Sequence, residues 1–423
     1  MRPAALLREA EDQPIALSVE EARAAIAAQV QPVTGHERLG LRSALGRVLA
    51  HDLFAPGPLP PWTTSAMDGY ALHSRDLPAL SDTMLAVIGR ALAGHPFAGA
   101  VGPGECVQIM TGAVLPAGCD TVLRQEDVER LGDSIRVQSG QHRPGDHVRW
   151  AGEDIAAGGS VLRQGHRLEP ADLGLIASLG LAEVCVRRQP KVAFFSTGDE
   201  LQGLGQPLTP GMIYDSNRYT LHAMLEGLSV RILDRGTVPD DPQALETVLT
   251  GLAGQADLVL STGGVSVGAA DYVTATLQRL GEIFFWKIAM KPGKPLLFGR
   301  VGSALFFGLP GNPVSVLATF MVLVRGAILR LAGEEPPPRL RLRAHAAQAL
   351  IKGRRRTDFQ RGILEQGADG RLLVRTTGMQ GSHMLSSMSR ANCFLQLPAG
   401  VSSIDQDEEV EVLPFNTISW GAG

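Results

Sequence analysis

Three short stretches gather small residues, hydroxyls and carboxylates: Ser196-Thr197-Gly198-Asp199-Glu200, Ser261-Thr262-Gly263-Gly264, and Gly308-Leu309-Pro310-Gly311-Asn312-Pro313. Each follows an apolar run: VAFF, LVL and ALFF. Glycine lets backbone approach a ligand closely and turn its N–H groups toward an anion. The Asn312-Pro313 pair opens a helical run, whose N-terminal end carries partial positive charge. The chemistry this allows is the seating of a phosphate or pyrophosphate on backbone. One glycine after a strand is most often only a turn, but three at successive strand ends shift the balance toward a site. No G-K-[ST] follows Gly264, and G-x-G-x-x-G is absent, so neither a P-loop nor a dinucleotide fingerprint is present.

Charged residues stand beside these elbows. Asp199, Glu200, Asp241 and Asp271 lie at or just past strand ends or helix starts. Hard oxygen ligands beside a phosphate seat suit Mg²⁺. Asp241, before Pro242, and Asp271, before a helical run, would equally serve as N-caps. Glu200 exceeds what a turn needs. Lys287, Lys291 and Lys294 occur together in KIAMKPGKP, where strand alternation would put Lys287 and Lys291 on one face. Such a cluster suits a polyanion; the competing reading is an edge strand guarded by lysines. Three polar loops lie in the first part of the chain: Thr63 to Tyr70, Ile109 to Ala113, and Gly152 to Ile155. His95, His142 and His147 show no metal spacing, and the Lys352–Arg356 run reads as a solvated turn within reach of a phosphate.

The elements that must position these residues follow from pattern. Ser18-Val19-Glu20-Glu21 is a capping box, opening a helix to about Val30. Up to about Trp150, short apolar alternations separated by Gly, Pro and Asp indicate a β-rich module. A second helix runs over about 171–179. From Gln189, strands and helices alternate, which implies a mostly parallel sheet with helices on both faces. Glu334-Glu335-Pro336-Pro337-Pro338 reads as a linker, and the short alternating strands after it as a small β-barrel or sandwich. The expected fold is multidomain α/β, centred on a doubly wound sheet. Four domains are expected: 15–45 with 151–186, an inserted β-rich domain at 46–150, the α/β domain at 187–335, and a barrel at 336–423.

The formal net charge of the 423 residues is −4, which argues against general affinity for nucleic acid or anionic membranes. The four cysteines are far apart, with no C-x-x-C pair, as expected of free thiols in a reducing compartment. The N-terminal residues show no apolar core of a signal peptide, and the run Val314 to Val324 is short for a membrane span. A soluble, cytoplasmic protein is expected.

SAMDGYAL, IMTGAVLP, GEDI, STGDEL, YDSNRYTL, STGGVSVGAADYV, KPGKP, GLPGNPVS and GSHMLSSMSRAN occur in an order similar to that of the molybdopterin molybdotransferases. These are the MoeA-type molybdenum insertases, related to the C-terminal domain of gephyrin. The resemblance runs from about Ile15 to Phe415. It implies a homodimer, an α/β domain similar to molybdopterin adenylyltransferase, and a C-terminal barrel. The implied reaction inserts molybdate into adenylylated molybdopterin and cleaves its pyrophosphate bond with Mg²⁺, releasing AMP. By motif, Asp68, Thr111, Asp154, Glu200, Asp241 and Asp271 are the implied catalytic residues, with Glu200, Asp241 and Asp271 toward the metal. Ser196, Thr197, Gly198, Ser261 to Gly264, Ser266, Lys287, Lys291, Lys294 and Pro310 to Pro313 line the cofactor side. Asp68 and Thr111 would join the α/β site from the second subunit. The implied partners are a molybdopterin adenylyltransferase and downstream molybdoenzymes. Two alternatives stay open: an adenylyltransferase, and a non-catalytic scaffold. Molybdate and tungstate are not distinguished by sequence.

Overall fold

The computed structural model describes residues 16–265, 272–336, 340–353 and 355–415. The chain divides into two compact units, one formed by residues 1–50, 165–170 and 183–423, the other by 51–164 and 171–182.

In the first unit, helix α1 (Val19–Gln29) begins at the capping box: the Ser18 hydroxyl accepts from the Glu21 amide, and the Glu21 carboxylate accepts from the Ser18 amide. The central sheet uses strands β1 (Lys191–Thr197), β2 (Arg231–Val238), β3 (Leu258–Thr262), β4 (Gly281–Lys287), β6 (Pro295–Val301) and β7 (Ala304–Leu309). A short strand, β5 (Met290–Lys291), lies outside it. The sheet order is β2-β1-β3-β7-β6-β4. β2, β1, β3 and β7 run parallel, whereas β6 pairs antiparallel with both its neighbours, β7 and the edge strand β4. The doubly wound expectation therefore holds for the four parallel strands, three of which (β1, β3 and β7) carry the elbows.

Alternation along the strands splits the core into two layers. Val192, Phe194, Leu258, Leu260 and Phe307 face one way, packing with Leu221 and Leu225 of helix α2 (Ser216–Glu226). Ala193, Phe195, Val259 and Phe306 face the other. They meet Leu245 and Leu249 of helix α3 (Pro242–Ala253) and Val273 and Leu277 of helix α4 (Tyr272–Leu280). A 19-residue helix, α5 (Pro313–Leu331), packs on the first layer and turns π-helical over Phe320–Val324. It is long and apolar enough to cross a membrane by length and composition, yet most of its apolar window is buried in this core.

The C-terminal strands close on themselves. β8 (Leu342–Ala346), β9 (Thr357–Gln366), β10 (Leu372–Thr376), β11 (Cys393–Leu397) and β12 (Glu409–Pro414) follow the order β9-β10-β8-β12-β11, and β11 pairs back onto β9. This is a five-stranded barrel, in which closure pairs the two outermost strands, β9 and β11, with each other. Phe359, Phe394 and Leu413 belong to the same apolar cluster as α1, α5 and the first sheet layer.

The second unit is built on a six-stranded sheet containing Gly69–Leu72, Thr83–Ala91, Glu105–Ile109 and Thr121–Arg124. The helix Pro170–Ser178 belongs to this unit from Ala171 on.

Candidate active site

The four parallel strands of the first unit end side by side. Thr197 is opposite Val238, Ser196 is opposite Thr262, and Thr262 is opposite Leu309. All three elbows therefore open at one edge of the sheet, where open α/β sheets bind ligands. Ser196, Thr197, Ser261 and Thr262 are buried there. The Thr262 hydroxyl donates to Ser196 Oγ at 3.1 Å, whereas Ser261 Oγ is fully buried and has no partner among the described residues. Gly263 has φ +86°, and a Cβ there would sit 2.2 Å from the Thr197 carbonyl oxygen. Only glycine fits both demands. Gly311 lies against it, its Cβ position 3.9 Å from Gly263 Cα.

The acidic side is organised by a residue that the sequence reading passed over. Thr197 Oγ1 donates to Asp240 Oδ1, and the Asp240 amide donates to Asp199 Oδ1 at 3.2 Å. Asp241, by contrast, faces its own helix: its Oδ2 accepts from the Gln243 and Ala244 amides at 3.0 and 2.8 Å as the N-cap of α3. Asp-Pro is a strong cap signal, and nothing in sequence shows that the adjacent Asp240 is the carboxylate bonded to Thr197. The Glu200 carboxylate lies over Gly198. Segment 213–215 runs beside this elbow, Ile213 being opposite Leu201. It ends at Asp215, which is buried; one carboxylate oxygen caps α2 through the Arg218 amide, and Oδ2 has no partner among the described residues. Asn217, two residues on, donates to the Gly311 carbonyl at 2.7 Å and leaves Oδ1 equally unpartnered among the described residues. Asp215 and Asn217 sit within a helix-capping pattern, which hid them as site residues. Asp271 and Ser266 lie outside the described residues.

The anion side corrects one expectation. In the first turn of α5, Val314 N–H donates to the Ser382 carbonyl at 3.1 Å, and the Ser315 and Val316 amides donate to Asn312. Pro313 has no N–H. The helix end expected to receive phosphate is thus already engaged. The amides of Gly264, Gly311 and Asn312 have no backbone acceptor among the described residues, so the donors on offer are in the elbows. The lysines also depart from the expected strand: β4 ends at Lys287, the Ile288 amide donates to the Lys294 carbonyl at 3.0 Å, and Lys291 falls on β5. One alternating face does not carry Lys287 and Lys291 together, because the chain turns between them. His383 is exposed, next to Ser382. A shallow hollow of about 540 Å³ flanks the acidic side, lined by Arg235, Thr237, Asp241 and Thr247; it includes none of the Ser-Thr-Gly residues.

In the second unit, Asp68 and Thr111 come together. Gly69 is opposite Ile109, so the two residues flank the ends of adjacent strands. The Thr111 amide and hydroxyl donate to Asp68 Oδ1 at 2.7 and 2.8 Å. The amide bond first, then the hydroxyl, holds the Asp68 carboxyl below the usual carboxylate range. Asp154 is exposed in a loop whose amide donates to the Leu59 carbonyl at 3.0 Å.

Residues 17–180 match the MoeA N-terminal region (domain I and II), 193–330 a probable molybdopterin binding domain, and 343–415 the MoeA C-terminal region (domain IV). The chain is 42% identical to the molybdopterin molybdenumtransferase of Haemophilus influenzae over 403 residues, covering 95% of this chain and 99% of that one. It is 35% identical to molybdopterin molybdenumtransferase 2 of Mycobacterium tuberculosis, covering 93% and 98%. The chain belongs to the MoeA family of molybdopterin molybdenumtransferases.

As a member of the molybdenumtransferases it is a transferase. Its fold is similar to the crystal structure of the molybdopterin biosynthesis MoeA protein from Pyrococcus horikosii, with TM-score 0.79 and 32% identity over 95% of this chain and 100% of that one. Within the molybdenumtransferase chain, the three elbows, Asp215, Asn217 and Asp240 all fall in the molybdopterin-binding match, and Asp68, Thr111 and Asp154 in the N-terminal match.

Proposed function

We propose that this chain transfers molybdenum from molybdate into adenylylated molybdopterin and cleaves the pyrophosphate bond, releasing AMP and molybdenum cofactor. One observation carries this reading: carboxylates and unpartnered amides meet at one sheet edge, within the molybdopterin-binding match. A pyrophosphate with a divalent ion needs both. The donor set fits Mg²⁺, because Glu200, Asp199 Oδ2 and Asp240 Oδ2 are oxygen ligands with no ion-pair partner among the described residues. When bound, Mg²⁺ would neutralise charge developing on the pyrophosphate. The chain's own residues do the rest. Thr197 orients the Asp240 carboxylate. The amides of Gly264, Gly311 and Asn312 meet phosphate oxygens. Ser261 Oγ and Asn217 Oδ1 give buried polar contacts to the ligand in place of those they lack, and Lys287, Lys291 and Lys294 attract molybdate and phosphate. An oxygen of water or of molybdate is the attacking group. Asp271 and Ser266, outside the described residues, keep the roles that the motif resemblance implies.

The protein works as a cytoplasmic homodimer, Asp68 and Thr111 of one subunit serving the reaction of the other. Mixing inactive Asp68→Ala and Glu200→Ala chains then restores partial turnover; no recovery with subunit exchange demonstrated separately overturns the shared site. The main test follows AMP release from adenylylated molybdopterin and Mg²⁺, with and without molybdate. Molybdate-dependent release, yielding product that activates a cofactor-free molybdoenzyme, is expected. ATP-dependent adenylylation of molybdopterin would instead make the chain an adenylyltransferase, and tight binding without release under any oxyanion would make it a scaffold.

A further inference from the structure

The barrel brings a buried carboxylate to the lysine-bearing turn. Strand β5 pairs in parallel with the start of β9, setting Met290 opposite Thr357 and Lys291 opposite Asp358. The Thr357 amide donates to the Ala289 carbonyl at 2.9 Å and fixes that register. Lys291 Nζ then donates to Asp358 Oδ2 at 3.3 Å. The two ends of this pair differ: the Lys291 side chain is 45% exposed and that of Asp358 only 5%.

A second cation lies nearby but is not available. Lys352 is buried, and its ammonium donates to the carbonyls of Gly353, Arg356 and Ala399 at 3.1, 2.8 and 3.5 Å. An ammonium has three donors, so none remains for Asp358. Lys352 supports the carboxylate through space only. The other hydrogen bond to Asp358 comes from the neutral Gln360 amide at 3.4 Å. Lys291 is therefore the cation bonded to Asp358 among the described residues. A carboxylate this buried is strongly unfavourable without its cation. The pair consequently holds the ammonium in one place and leaves two of its donors for another anion.

We propose that Asp358 is a positioning residue: from the barrel, it fixes the Lys291 ammonium so that its remaining donors meet the anionic substrate. This rests on the function proposed above. Asp358 itself acts only through Lys291.

The first test labels the full-length protein with acetic anhydride and quantifies each lysine by mass spectrometry. An ion-paired ammonium acylates slowly, so wild-type Lys291 is expected to label at least about threefold more slowly than Lys294. Equal labelling overturns the pairing without recourse to any variant. Asp358→Asn should raise Lys291 labelling about threefold and leave Lys287 and Lys294 unchanged, and Asp358→Glu should restore it. The second test measures AMP release against molybdate concentration. Asp358→Asn should raise KM about tenfold with kcat within about twofold, and adding it to Lys291→Gln should change nothing further. An unchanged KM, or effects that multiply in the double variant, overturns the positioning role. If the wild type releases no AMP, the proposed function fails, while the labelling still decides whether Asp358 holds Lys291.

Discussion

The chain writes Ser-Thr-Gly twice at adjacent strand ends, and the two copies do different work. At Ser196-Thr197-Gly198 the hydroxyl of Thr197 is committed to a carboxylate, Asp240, and the chain continues into Asp199 and Glu200. At Ser261-Thr262-Gly263 the Thr262 hydroxyl is committed to the first copy, Ser261 Oγ is left without a partner among the described residues, and the chain continues into Gly264. The first elbow collects negative charge and the second presents amides. Their packing makes the division possible: Gly263 presses on the Thr197 carbonyl, so the two elbows form one seat with two polarities. The lesson is that a repeated tripeptide fixes a backbone shape, and its neighbours set the sign of the charge.

The strongest way to break this comparison is to separate the elbows. Gly263→Ala places a methyl into the Thr197 carbonyl at a positive φ, and turnover should fall by more than about 10³-fold with a clear loss of thermal stability. Near-normal turnover would show that the elbows work independently. Glu200→Gln removes charge and keeps shape; AMP release should fall about 10²- to 10³-fold with an unchanged melting temperature. Equal losses from neutral changes at both elbows would remove the difference in polarity. Adjacent carboxylates sharpen the point. Asp240→Asn should cost about 10- to 100-fold in turnover. Asp241→Ala, which deletes an N-cap, should cost about 1 kcal/mol in urea unfolding and little in turnover. The reverse ranking would return the metal role to Asp241.

The smallest effect lies in the other unit. Thr111→Val removes a hydroxyl donor to Asp68, so the Asp68 carboxyl should titrate closer to its ordinary value, read by NMR. The sign follows from a depressed carboxyl. Its favourable contribution is present above the ordinary carboxylate pKa and is lost as pH falls through the lower folded value. The variant should therefore lose that contribution at a higher pH than the wild type. An unmoved titration would mean that the amide alone sets it.

Much of this architecture was legible. Continuous apolar runs that break into glycine mark the parallel strands, and the elbows stand out because hydroxyls and glycines recur at their ends. The barrel was legible as short alternating strands after a proline-rich linker. What escaped was set by distance or orientation. Asp240 and Asp241 are neighbours, and no local pattern shows that Asp240 bonds to Thr197 while Asp241 caps α3. The N-terminal amide of α5 is taken by Ser382, 68 residues away, which no local pattern reveals. Asp358 sits in R-T-D-F-Q-R, which reads as a polar strand until the barrel closes around it. The antiparallel edge was hidden for a similar reason, because β6 and β4 carry apolar runs like those of parallel strands.

The apolar cluster that α5 shares with Phe359, Phe394 and Leu413 bears on modularity. Because β5 is borrowed from the α/β segment to extend the barrel, the boundary between the two is stitched by backbone as well as by packing. A barrel exchanged between relatives would have to take its partner strand with it. The C-terminal strands are therefore not an appendage that evolution or engineering could trade alone, and change there should be inherited together with change around Met290 and Lys291.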